Sequence, residues 1–341
     1  MKEINIVLES SSYNIYIEEN ILNKASSLIS SVYKGNRIII ITDDNVKGLY
    51  LNRLMDILKD KYNVDFISIT PGEESKCINT YLRVVEGLLD KGIRRGDLLI
   101  ALGGGVVGDL CGFIAGTIYR GIPYINIPTS LLSQMDSSIG GKTGIDFYGR
   151  KNILGAFKQP LLVLIDPALL NTLPDVEFYN GSAELIKHAI IGDSSLFKLL
   201  DGSRVINEEI IYKSLMVKAR IVMKDEFDLN ERMLLNFGHT LGHIVELDRN
   251  IRHGEAVSLG ILMALRLGIA LGITRPSVYE PIKEILNKYH LPTYDIDYKE
   301  YLSRAIYDKK NISGTISFIL IKNINEPVIY KINEEKLKEV S

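Results

Sequence analysis

The spacing of apolar residues divides this chain into two stretches of different character. From residue 4 to residue 17, apolar and polar positions alternate, which predicts two short strands in a hairpin. Beyond them, continuous apolar runs alternate with helical periodicity, as is typical of parallel strands that are buried on both faces. The predicted strands are 37–43, 65–70, 97–102, 124–128 and 161–166, and the predicted helices are 21–32, 48–61 and 77–91. This alternation predicts an α/β fold with a doubly wound parallel sheet.

The second half of the chain is predicted to be helical. Strand signals stop at about residue 172, and helical periodicity dominates at 182–191, 209–224, 233–246 and 253–271. Short strand-like runs return only at 316–320 and 328–330. Glu184, Lys187 and His188 share one helix face, an arrangement that a surface ion pair also explains. We therefore predict two domains, an α/β domain at 1–171 and an all-α domain at 172–341.

Composition and charge exclude several classes of function. The 341 residues carry 40 basic and 42 acidic side chains without a long block of one sign, so the basic surface of a nucleic-acid-binding protein is missing. The N-terminus lacks the apolar core of a secretory signal and only two cysteines occur, which predicts a reduced, cytoplasmic location. The apolar window 98–118 contains six glycines and Asp109, which favours a strand, a glycine turn and a buried helix over a membrane span.

A glycine-rich turn at 103–109 follows the strand predicted at 97–102. Glycines let a phosphate approach the backbone, and the N–H groups that begin the next helix attract an anion, so the turn is a candidate dinucleotide site. A G-x-G-x-x-G pattern is not the arrangement that matters here, and it would be weak evidence by itself. Close helix packing is an alternative that can hold at the same time, because glycines recur at every fourth position: Gly104, Gly108, Gly112 and Gly116.

Further polar residues follow the strand predicted at 124–128. The Gly-Gly-Lys-Thr tetrad at 140–143 does not make a nucleotide-triphosphate loop, because Asp136 stands where that pattern requires glycine. What remains is a predicted loop in which Lys142, Lys151 and Asn152 are candidates to bind a phosphate or a carboxylate. For each lysine taken singly, a solvated side chain is the simpler explanation.

Three of the five histidines lie between residues 232 and 255. His239 and His243 are four residues apart and share one face of a predicted helix, so the spacing by itself predicts a metal site. Thr240 stands where a zinc protease has its glutamate, which removes that class. A pair of partly buried histidines bonded to backbone carbonyls is the alternative. The polar residues nearby favour a ligand site, and they are Arg232, Asn236, His253 and Glu255.

Eight motifs along nearly the whole chain resemble those of the 3-dehydroquinate synthase family. They are PGEESK at 71–76, GGGVVGD at 103–109, YRGI at 119–122, PTSLLSQMDSSIGGKTG at 128–144, KN at 151–152, GSAELIK at 181–187, LNFGHTLGH at 235–243 and HGEAV at 253–257. In combination and in this order they are specific. The resemblance implies a Rossmann-like NAD domain, an all-α metal domain, a site in the cleft between them, and a homodimer.

The resemblance also implies a role for each matching position. It gives Glu184, His239 and His253 as ligands of Zn2+ or Co2+, and it moves His243 from the metal to the substrate. The implied substrate-facing residues are Arg120 (in the neighbouring subunit), Asp136, Lys142, Asn152, Lys187, Lys218, Arg232, Asn236, His243 and Lys310, with Lys309 as an adjacent candidate for the last. The implied NAD-binding residues are Asp43, Glu73, Lys76, Gly104, Gly105, Val106, Asp109, Thr129, Ser130, Lys142, Lys151 and Thr172.

The sequence departs from the family pattern at three of these regions. Ser130 stands where a threonine is usual, Asp146 where an asparagine is common, and Arg150 where a glycine usually precedes Lys151. Ser130 keeps the hydroxyl group. Asp146 and Arg150 change the local charge and put the conformation around Lys151 in question, but no implied ligand is missing.

The activity that the resemblance implies is a cyclisation in the shikimate pathway. The family converts 3-deoxy-D-arabino-heptulosonate 7-phosphate into 3-dehydroquinate and phosphate, by transient oxidation with NAD+, phosphate elimination, reduction, ring opening and an intramolecular aldol addition. Two alternatives stay open. A related sugar-phosphate cyclase would be expected to change the carboxylate-facing positions, and Lys218, Arg232 and Asn236 are all present. A metal- and NAD-dependent polyol dehydrogenase has no use for so many anion-binding groups.

Overall fold

Residues 1–309 and 315–333 are described by a computed structural model, in which the chain divides into two compact units, Met1–Leu173 and Pro174–Ser341. The first unit contains a largely parallel sheet with helices between its strands, and the second is mostly helical. The α/β fold followed by a helical region, predicted from the sequence, is therefore confirmed.

The first unit is organised around one sheet. The strands of the unit are β1 (Lys2–Val7), β2 (Ser12–Ile17), β3 (Arg37–Asp43), β4 (Asn63–Ile69), β5 (Leu98–Gly103), β6 (Tyr124–Pro128), β7 (Lys142–Phe147), β8 (Arg150–Phe157) and β9 (Leu162–Ile165), of which β7 and β8 form a separate two-stranded sheet. Its helices are α1 (Ala25–Val32), α2 (Asp44–Val46), α3 (Asn52–Leu58), α4 (Ile78–Asp90) and α5 (Gly105–Thr117). Within the described residues the sheet order is β1-β2-β9-β6-β5-β3-β4. The predicted β1–β2 hairpin is confirmed, and the other neighbours are parallel.

Strand β3 shows why the apolar runs of this unit are continuous. Ile38 and Ile40 are fully buried on one face of the sheet, in a cluster with residues of α1 and α3. Ile39 and Ile41 are fully buried on the other face, in a cluster with residues of α4 and α5. Because successive side chains of a strand point to opposite faces, a strand covered by helices on both sides needs an apolar residue at every position.

The glycines of α5 have different explanations. A Cβ on Gly112 would lie 2.4 Å from Cγ2 of Thr143 in β7, so close packing requires this glycine. A Cβ on Gly116 would lie 3.4 Å from Cβ of Ala156, a tight contact that packing also explains. A Cβ on Gly104 would meet Ser130 Oγ at 3.4 Å and nothing closer. Gly104 therefore stays a candidate for the close approach of a ligand.

The loop predicted around Lys142 and Lys151 is wrong. Lys142 begins β7, Lys151 lies in β8, and the two strands form an antiparallel hairpin. A Cβ on Gly144 would lie 2.7 Å from the carbonyl oxygen of Leu154, so the hairpin depends on glycine at a position that reads as a turn signal in the sequence. The sequence analysis did not predict these two strands, because glycines interrupt the apolar alternation that identifies a strand.

The second unit consists mainly of helices. They are α6 (Asp175–Gly192), α7 (Ser194–Leu199), α8 (Glu208–Lys224), α9 (His239–Arg249), α10 (His253–Ala270), α11 (Tyr279–Lys288) and α12 (Tyr298–Lys309). Strands β10 (Thr315–Ile321) and β11 (Pro327–Asn333) form an antiparallel pair where strand-like runs were predicted. The helix predicted at 233–246 is partly wrong. A 3-10 helix covers Glu231–Asn236, and Gly238 with φ 79° separates it from α9.

Among the helices of the described residues, one, α10, is long and apolar enough to cross a membrane by length and composition alone. Of its 18-residue window, 72% is buried inside the protein, as is typical of a core helix. The apolar window 98–118, which the sequence analysis assigned to a strand, a turn and a helix, consists of β5, Gly104 and α5, followed by Ile118. That prediction is confirmed.

Candidate active site

Three helices of the second unit bring together one carboxylate and two imidazoles. Glu184 lies in the middle of α6, and His239 and His253 are the first residues of α9 and α10. One ligand atom from each of these residues lies within 4.8 Å of the other two. Nε2 of His239 is 3.3 Å and Nε2 of His253 is 3.4 Å from Oε1 of Glu184. The structure thus assembles the ligand set that the family resemblance implies.

Glycines allow the three helices to approach closely. A Cβ on Gly260 of α10 would lie 1.9 Å from the carbonyl oxygen of Gly238, the residue before α9. A Cβ on Gly254 of α10 would lie 2.0 Å from the carbonyl oxygen of Asn180 in α6. Gly254 N also donates a hydrogen bond of 2.6 Å to Asn180 Oδ1. Any larger residue at these two positions would separate the helices, so the glycines determine how close the ligands lie.

Each imidazole is oriented by a partner at its second nitrogen. Nδ1 of His239 lies 3.1 Å from the carbonyl oxygen of Phe237, and Nδ1 of His253 lies 3.3 Å from Oε2 of Glu246. A carbonyl and a carboxylate only accept hydrogen bonds, so in a neutral ring the proton lies on Nδ1. The Nε2 lone pair of both histidines is then directed towards Glu184, as metal binding requires.

The surroundings of Glu184 fit a cation. Both carboxylate oxygens are buried and neither meets the geometry of a hydrogen bond, although Lys187 Nζ lies beside Oε2. Burial raises the pKa of Glu184, but Lys187 and the neighbouring imidazoles outweigh it and hold the pKa well below its usual value. A buried, ionised carboxylate with two adjacent imidazoles is the donor set of catalytic zinc sites, which combine three protein ligands with an open position.

The two histidines beside Glu184 differ electrostatically. Burial and the charge of Lys187 lower the pKa of His239, so its ring is neutral. Burial also lowers the pKa of His253, but its contacts with Glu184 and Glu246 outweigh burial and raise the pKa to about 9. A metal ion would displace a proton from His253 on binding, because only the neutral ring offers an Nε2 lone pair.

His243 lies beside this cluster on the exposed side of α9. Its ring centroid is 5.1 Å from that of His239 and 6.0 Å from that of His253. Ligand atoms of His243, Glu246 and His253 also lie within 4.8 Å of one another. The spacing of His239 and His243 by itself therefore did not identify the better ligand set. Glu184 distinguishes the two groups, because its carboxylate is fully buried and ionised beside Lys187.

The remaining substrate-facing residues predicted in the second unit lie on several elements. Lys187 and Lys218 are buried in α6 and α8, Asn236 is exposed before α9, and Lys310 lies outside the described residues. Arg232 is buried and donates a hydrogen bond of 2.5 Å from Nη1 to the carbonyl oxygen of Glu226. The structure therefore uses Arg232 to hold its own loop as well as to supply a charge.

In the first unit, the predicted NAD-binding residues gather at one edge of the sheet. Asp43 is the last residue of β3, and Gly104 and Thr129 directly follow β5 and β6; these three strands are adjacent and parallel. The chain leaves β3 towards β4 and returns to β5 on the other side of β3, so a topological switch point lies between β3 and β5. Gly104, Gly105 and Val106 begin α5, where backbone N–H groups attract a phosphate. Such an edge is where dinucleotides bind in open α/β sheets.

Several residues of this group also have structural partners. Asp43 Oδ1 accepts hydrogen bonds from the backbone N–H of Asn45 and Val46 at 2.9 and 3.0 Å and thereby caps α2; burial raises its pKa. Lys76 is buried and lies 2.5 Å from Oδ2 of Asp109. Burial lowers the pKa of Lys76, but the negative charge of Asp109 outweighs it and the pKa is raised.

The other members of the group lie on turns around the same sheet. Ser130 Oγ is 2.9 Å from Ser133 Oγ, in a local turn, so the residue that replaces a threonine has a defined partner. Thr172 Oγ1 donates to the carbonyl oxygen of Leu169 at 3.2 Å. Glu73 begins an exposed 3-10 turn. These three positions are consistent with binding residues on the outside of the sheet edge.

The hairpin β7–β8 carries the candidate anion-binding groups of the first unit. Lys142, Lys151 and Asn152 are exposed, and Asp136 is half-buried in the turn before β7. Arg120 is exposed and has a φ of 64°, a conformation that residues other than glycine rarely adopt. The exposure of these side chains leaves them accessible to a ligand or to another subunit.

Asp146 makes two hydrogen bonds to the backbone that the sequence analysis did not predict. Its Oδ1 accepts a hydrogen bond of 2.7 Å from the backbone N–H of Asn152, which has a φ of 54°. Its own N–H donates to the carbonyl oxygen of Lys76 at 2.7 Å. Asp146 therefore stabilises the left-handed backbone of Asn152 and connects the hairpin to the turn that contains Lys76.

The sequence analysis did not identify two further residues of the second unit that contact or position candidate site residues. Glu246 follows His239 by seven residues, two turns along the same helix face, a spacing that could have indicated it. Asp225 accepts backbone N–H bonds from Leu229, Asn230 and Arg232 at 2.9, 2.7 and 3.0 Å, and so shapes the loop that carries Arg232. No local pattern identifies Asp225, because its partners are backbone groups.

Comparison with known proteins agrees with this geometry. The family model for the 3-dehydroquinate synthase N-terminal domain matches residues 66–180, and that for the C-terminal domain matches residues 181–311. The 3-dehydroquinate synthase of Clostridium beijerinckii is 42% identical over 348 residues, which cover 98% of this chain and 99% of the relative. This chain belongs to the 3-dehydroquinate synthase family. That of Clostridium botulinum is also 42% identical, covering 99% of this chain and all of the relative.

Solved structures share the same fold. The 2-epi-5-epi-valiolone synthase of Streptomyces hygroscopicus subsp. jinggangensis, with NAD+ and Zn2+ bound, has a TM-score of 0.86 and 27% identity, covering 98% of this chain and 97% of its own. A 2-deoxy-scyllo-inosose synthase has a TM-score of 0.87 at 22% identity, covering 99% of both chains, and at that identity it supports the fold alone. Family membership and the fold are therefore established independently of each other.

Proposed function

We propose that this protein is a 3-dehydroquinate synthase, which converts 3-deoxy-D-arabino-heptulosonate 7-phosphate into 3-dehydroquinate and phosphate. The observation that carries the proposal is the 42% identity to 3-dehydroquinate synthases over 98% of the chain, against 27% to a valiolone synthase of the same fold. The clustering of Glu184, His239 and His253 supports it, because the residues implied as ligands do meet in space. The reaction makes the protein a carbon–oxygen lyase.

The proposed cofactors are NAD+ and a divalent metal ion, Zn2+ or Co2+. We assign NAD+ to the α/β domain at 1–171 and the metal to Glu184, His239 and His253 in the domain at 172–341. When bound, NAD+ accepts a hydride from the substrate and returns it, and the metal lowers the pKa of substrate hydroxyls. The valiolone synthase of the same fold binds NAD+ and Zn2+, which supports this pair.

The chain itself binds and orients an anionic substrate. Lys187 and Lys218 are buried cations in the helical unit. The guanidinium of Arg232 is held in place by its hydrogen bond to the carbonyl oxygen of Glu226. Because these cations are removed from water, they attract a carboxylate or phosphate more strongly. A substrate that they hold in the reactive orientation reacts faster. The remaining proposed contacts are Asp136, Lys142, Asn152, Asn236, His243 and Lys310. The departing phosphate can act as its own base, so elimination needs no protein base.

Redox stoichiometry tests the proposed reaction. Enzyme, Zn2+, the heptulosonate phosphate and NAD+ at one tenth of the substrate concentration are mixed, and phosphate and nicotinamide absorbance are followed together. We expect phosphate in excess over NAD+ and a flat absorbance after the first turnover, because the hydride returns to the same substrate. NADH that accumulates in proportion to product, without phosphate, contradicts the proposal and favours a polyol dehydrogenase. Turnover of another sugar phosphate in its place identifies a different cyclase.

Two histidine variants test the proposed metal ligands. His253→Ala is expected to lose bound Zn2+, measured by metal analysis after gel filtration, because it removes one of three ligands. His243→Ala is expected to keep the metal and lose turnover. Equal loss of metal in both variants would instead support His243 as a metal ligand, as the four-residue spacing of His239 and His243 predicted.

We also propose a homodimer in which Arg120 acts in the site of the neighbouring subunit. The exposed side chain of Arg120 and its left-handed backbone support a role outside its own fold. Arg120→Ala and His253→Ala, each inactive, are unfolded together, refolded and assayed. Mixed dimers then contain one complete site, so about a quarter of the wild-type activity is expected to return. Recovery of no activity would place Arg120 in the site of its own subunit.

A further inference from the structure

We propose that Glu246 is a positioning residue that holds His253 in the orientation and tautomer that bind the metal. The proposal rests on the proposed metal-dependent function and assigns a residue outside the implied ligand set. Glu246 lies in α9, is 7% exposed, and places Oε2 at 3.3 Å from Nδ1 of His253. The opposite nitrogen of the same ring, Nε2, lies 3.4 Å from Oε1 of Glu184. One carboxylate therefore contacts each nitrogen of this ring.

The two contacts have different chemical consequences. An ionised carboxylate accepts hydrogen bonds and donates none, so when the ring is neutral Glu246 keeps its one proton on Nδ1 and leaves the Nε2 lone pair for a metal. It also makes the imidazole a more basic ligand. If Glu246 were absent, the proton would be free to occupy Nε2, which would block the metal-binding nitrogen.

His253 needs this help more than His239 does. The Nδ1 of His239 is bonded to the backbone carbonyl of Phe237, which no side-chain substitution removes. The side chain of His253 is 30% exposed, against 12% for His239, so the surrounding packing restrains its ring less. The buried carboxylate of Glu246 is costly to desolvate, and its contact with Nδ1 of His253 offsets part of that cost.

A second interpretation of the same geometry makes a different prediction. Ligand atoms of His243, Glu246 and His253 lie within 4.8 Å of one another, and in this interpretation Glu246 binds a second ion directly. In that case the wild-type protein would bind two ions, and His243→Ala would lose one of them. We favour positioning, because the Nδ1 atom that such an ion would use already faces Glu246 at hydrogen-bonding distance.

Metal affinity without substrate tests the positioning role. The whole protein is stripped with a chelator, and its affinity for Zn2+ is measured by competition with a chromophoric chelator. Glu246→Ala is expected to bind Zn2+ about 10- to 100-fold more weakly, as for other residues that orient a metal-binding histidine. Glu246→Gln is expected to lose less, because its amide oxygen still accepts a bond from Nδ1. Wild-type affinity in Glu246→Ala would overturn the proposal.

Asp248→Asn is the matched control. Asp248 lies two residues further along α9 and accepts hydrogen bonds from Tyr301 at 2.8 Å and Arg304 at 2.6 Å, away from the ligands. The substitution removes the same charge from the same helix, so it is expected to lower thermal stability and to leave Zn2+ affinity unchanged. Equal weakening of Zn2+ binding in Asp248→Asn and Glu246→Gln would mean that the effect is general and electrostatic, and would overturn the proposal.

Two further measurements separate positioning from a structural role. The chain has five histidines, so their imidazole nitrogens can be assigned by 15N NMR. In the Zn2+-saturated wild type, His253 is expected to carry its single proton on Nδ1, and in Zn2+-saturated Glu246→Ala the signal of this nitrogen is expected to shift because its hydrogen-bond acceptor is gone. In a His253→Ala background, Glu246→Ala is expected to weaken Zn2+ binding no further. An additive effect, or a stoichiometry of two ions that falls to one in His243→Ala, would overturn the proposal. Loss of synthase activity alone would leave these binding measurements intact.

Discussion

The substitution Gly260→Ala is expected to abolish tight metal binding although it changes no ligand. The Cβ added to Gly260 would lie 1.9 Å from the carbonyl oxygen of Gly238 and 2.9 Å from the nitrogen of Gly242. Since Cβ atoms essentially never approach closer than 3.0 Å, α10 and the residue before α9 must separate by at least about 1.1 Å. Gly238 directly precedes His239, so the ligand moves with it.

The size of this movement decides the outcome. Metal–ligand distances tolerate deviations of about 0.2 Å, so a shift of 1.1 Å separates His239 from the position that the other two ligands define. We expect Zn2+ affinity to fall by more than ~100-fold, beyond the usual cost of losing an orienting partner. Alanine favours a helix by ~1 kcal/mol, but overpacking costs ~1–3 kcal/mol, so the metal-free protein is expected to lose up to ~2 kcal/mol.

The assay combines chelator competition for Zn2+ with calorimetric melting of the metal-free protein. Gly48→Ala is the matched control, because a Cβ on Gly48 would meet no atom within 4 Å. That variant is expected to gain ~0.5–1 kcal/mol of stability and to bind Zn2+ as the wild type does. If Gly260→Ala bound Zn2+ with wild-type affinity and melted no lower than the wild type, the argument that helix contact distance determines the metal site would be refuted.

Three further predictions concern the surroundings of the site. Asp225→Asn is expected to cost ~1–3 kcal/mol of unfolding free energy at pH 7, because three backbone N–H groups bond to its carboxylate. Burial raises the pKa of Asp225, but its backbone hydrogen bonds outweigh burial and lower the pKa. The stability difference is therefore present above pH ~4 and is lost as the pH falls through the folded-state pKa. Unfolding free energies measured during an acid titration check this expectation. Lys76→Met is expected to cost ~3 kcal/mol in urea unfolding by leaving Asp109 without its cation, and the double variant with Asp109→Asn to recover most of it. Asp146→Ala is expected to loosen the hairpin at Asn152, seen as faster amide exchange there, whereas Asp146→Asn keeps an acceptor and most of the protection.

Local sequence patterns predicted correctly those elements whose structure follows from the pattern of apolar residues alone. Strand β3 is predicted by its unbroken apolar run, because both faces of the sheet are covered. The hairpin β7–β8 and the break before α9 were not predicted. Both depend on glycines whose effect comes from a partner segment or from a positive φ, as at Gly144 and Gly238.

By itself, the sequence determined the alternation of strands and helices, the glycine turn after β5 and, through ordered motifs, membership of one family. It also placed His239 and His243 on one helix face, and from that spacing alone the ligand pair remained open. The family resemblance implied Glu184, His239 and His253 as ligands, but only the tertiary structure showed that these residues meet, because they lie on three helices that approach where glycines permit contact. Helix spacing is a property of neighbouring residues, whereas a metal site is a property of distances between segments that are far apart in the chain.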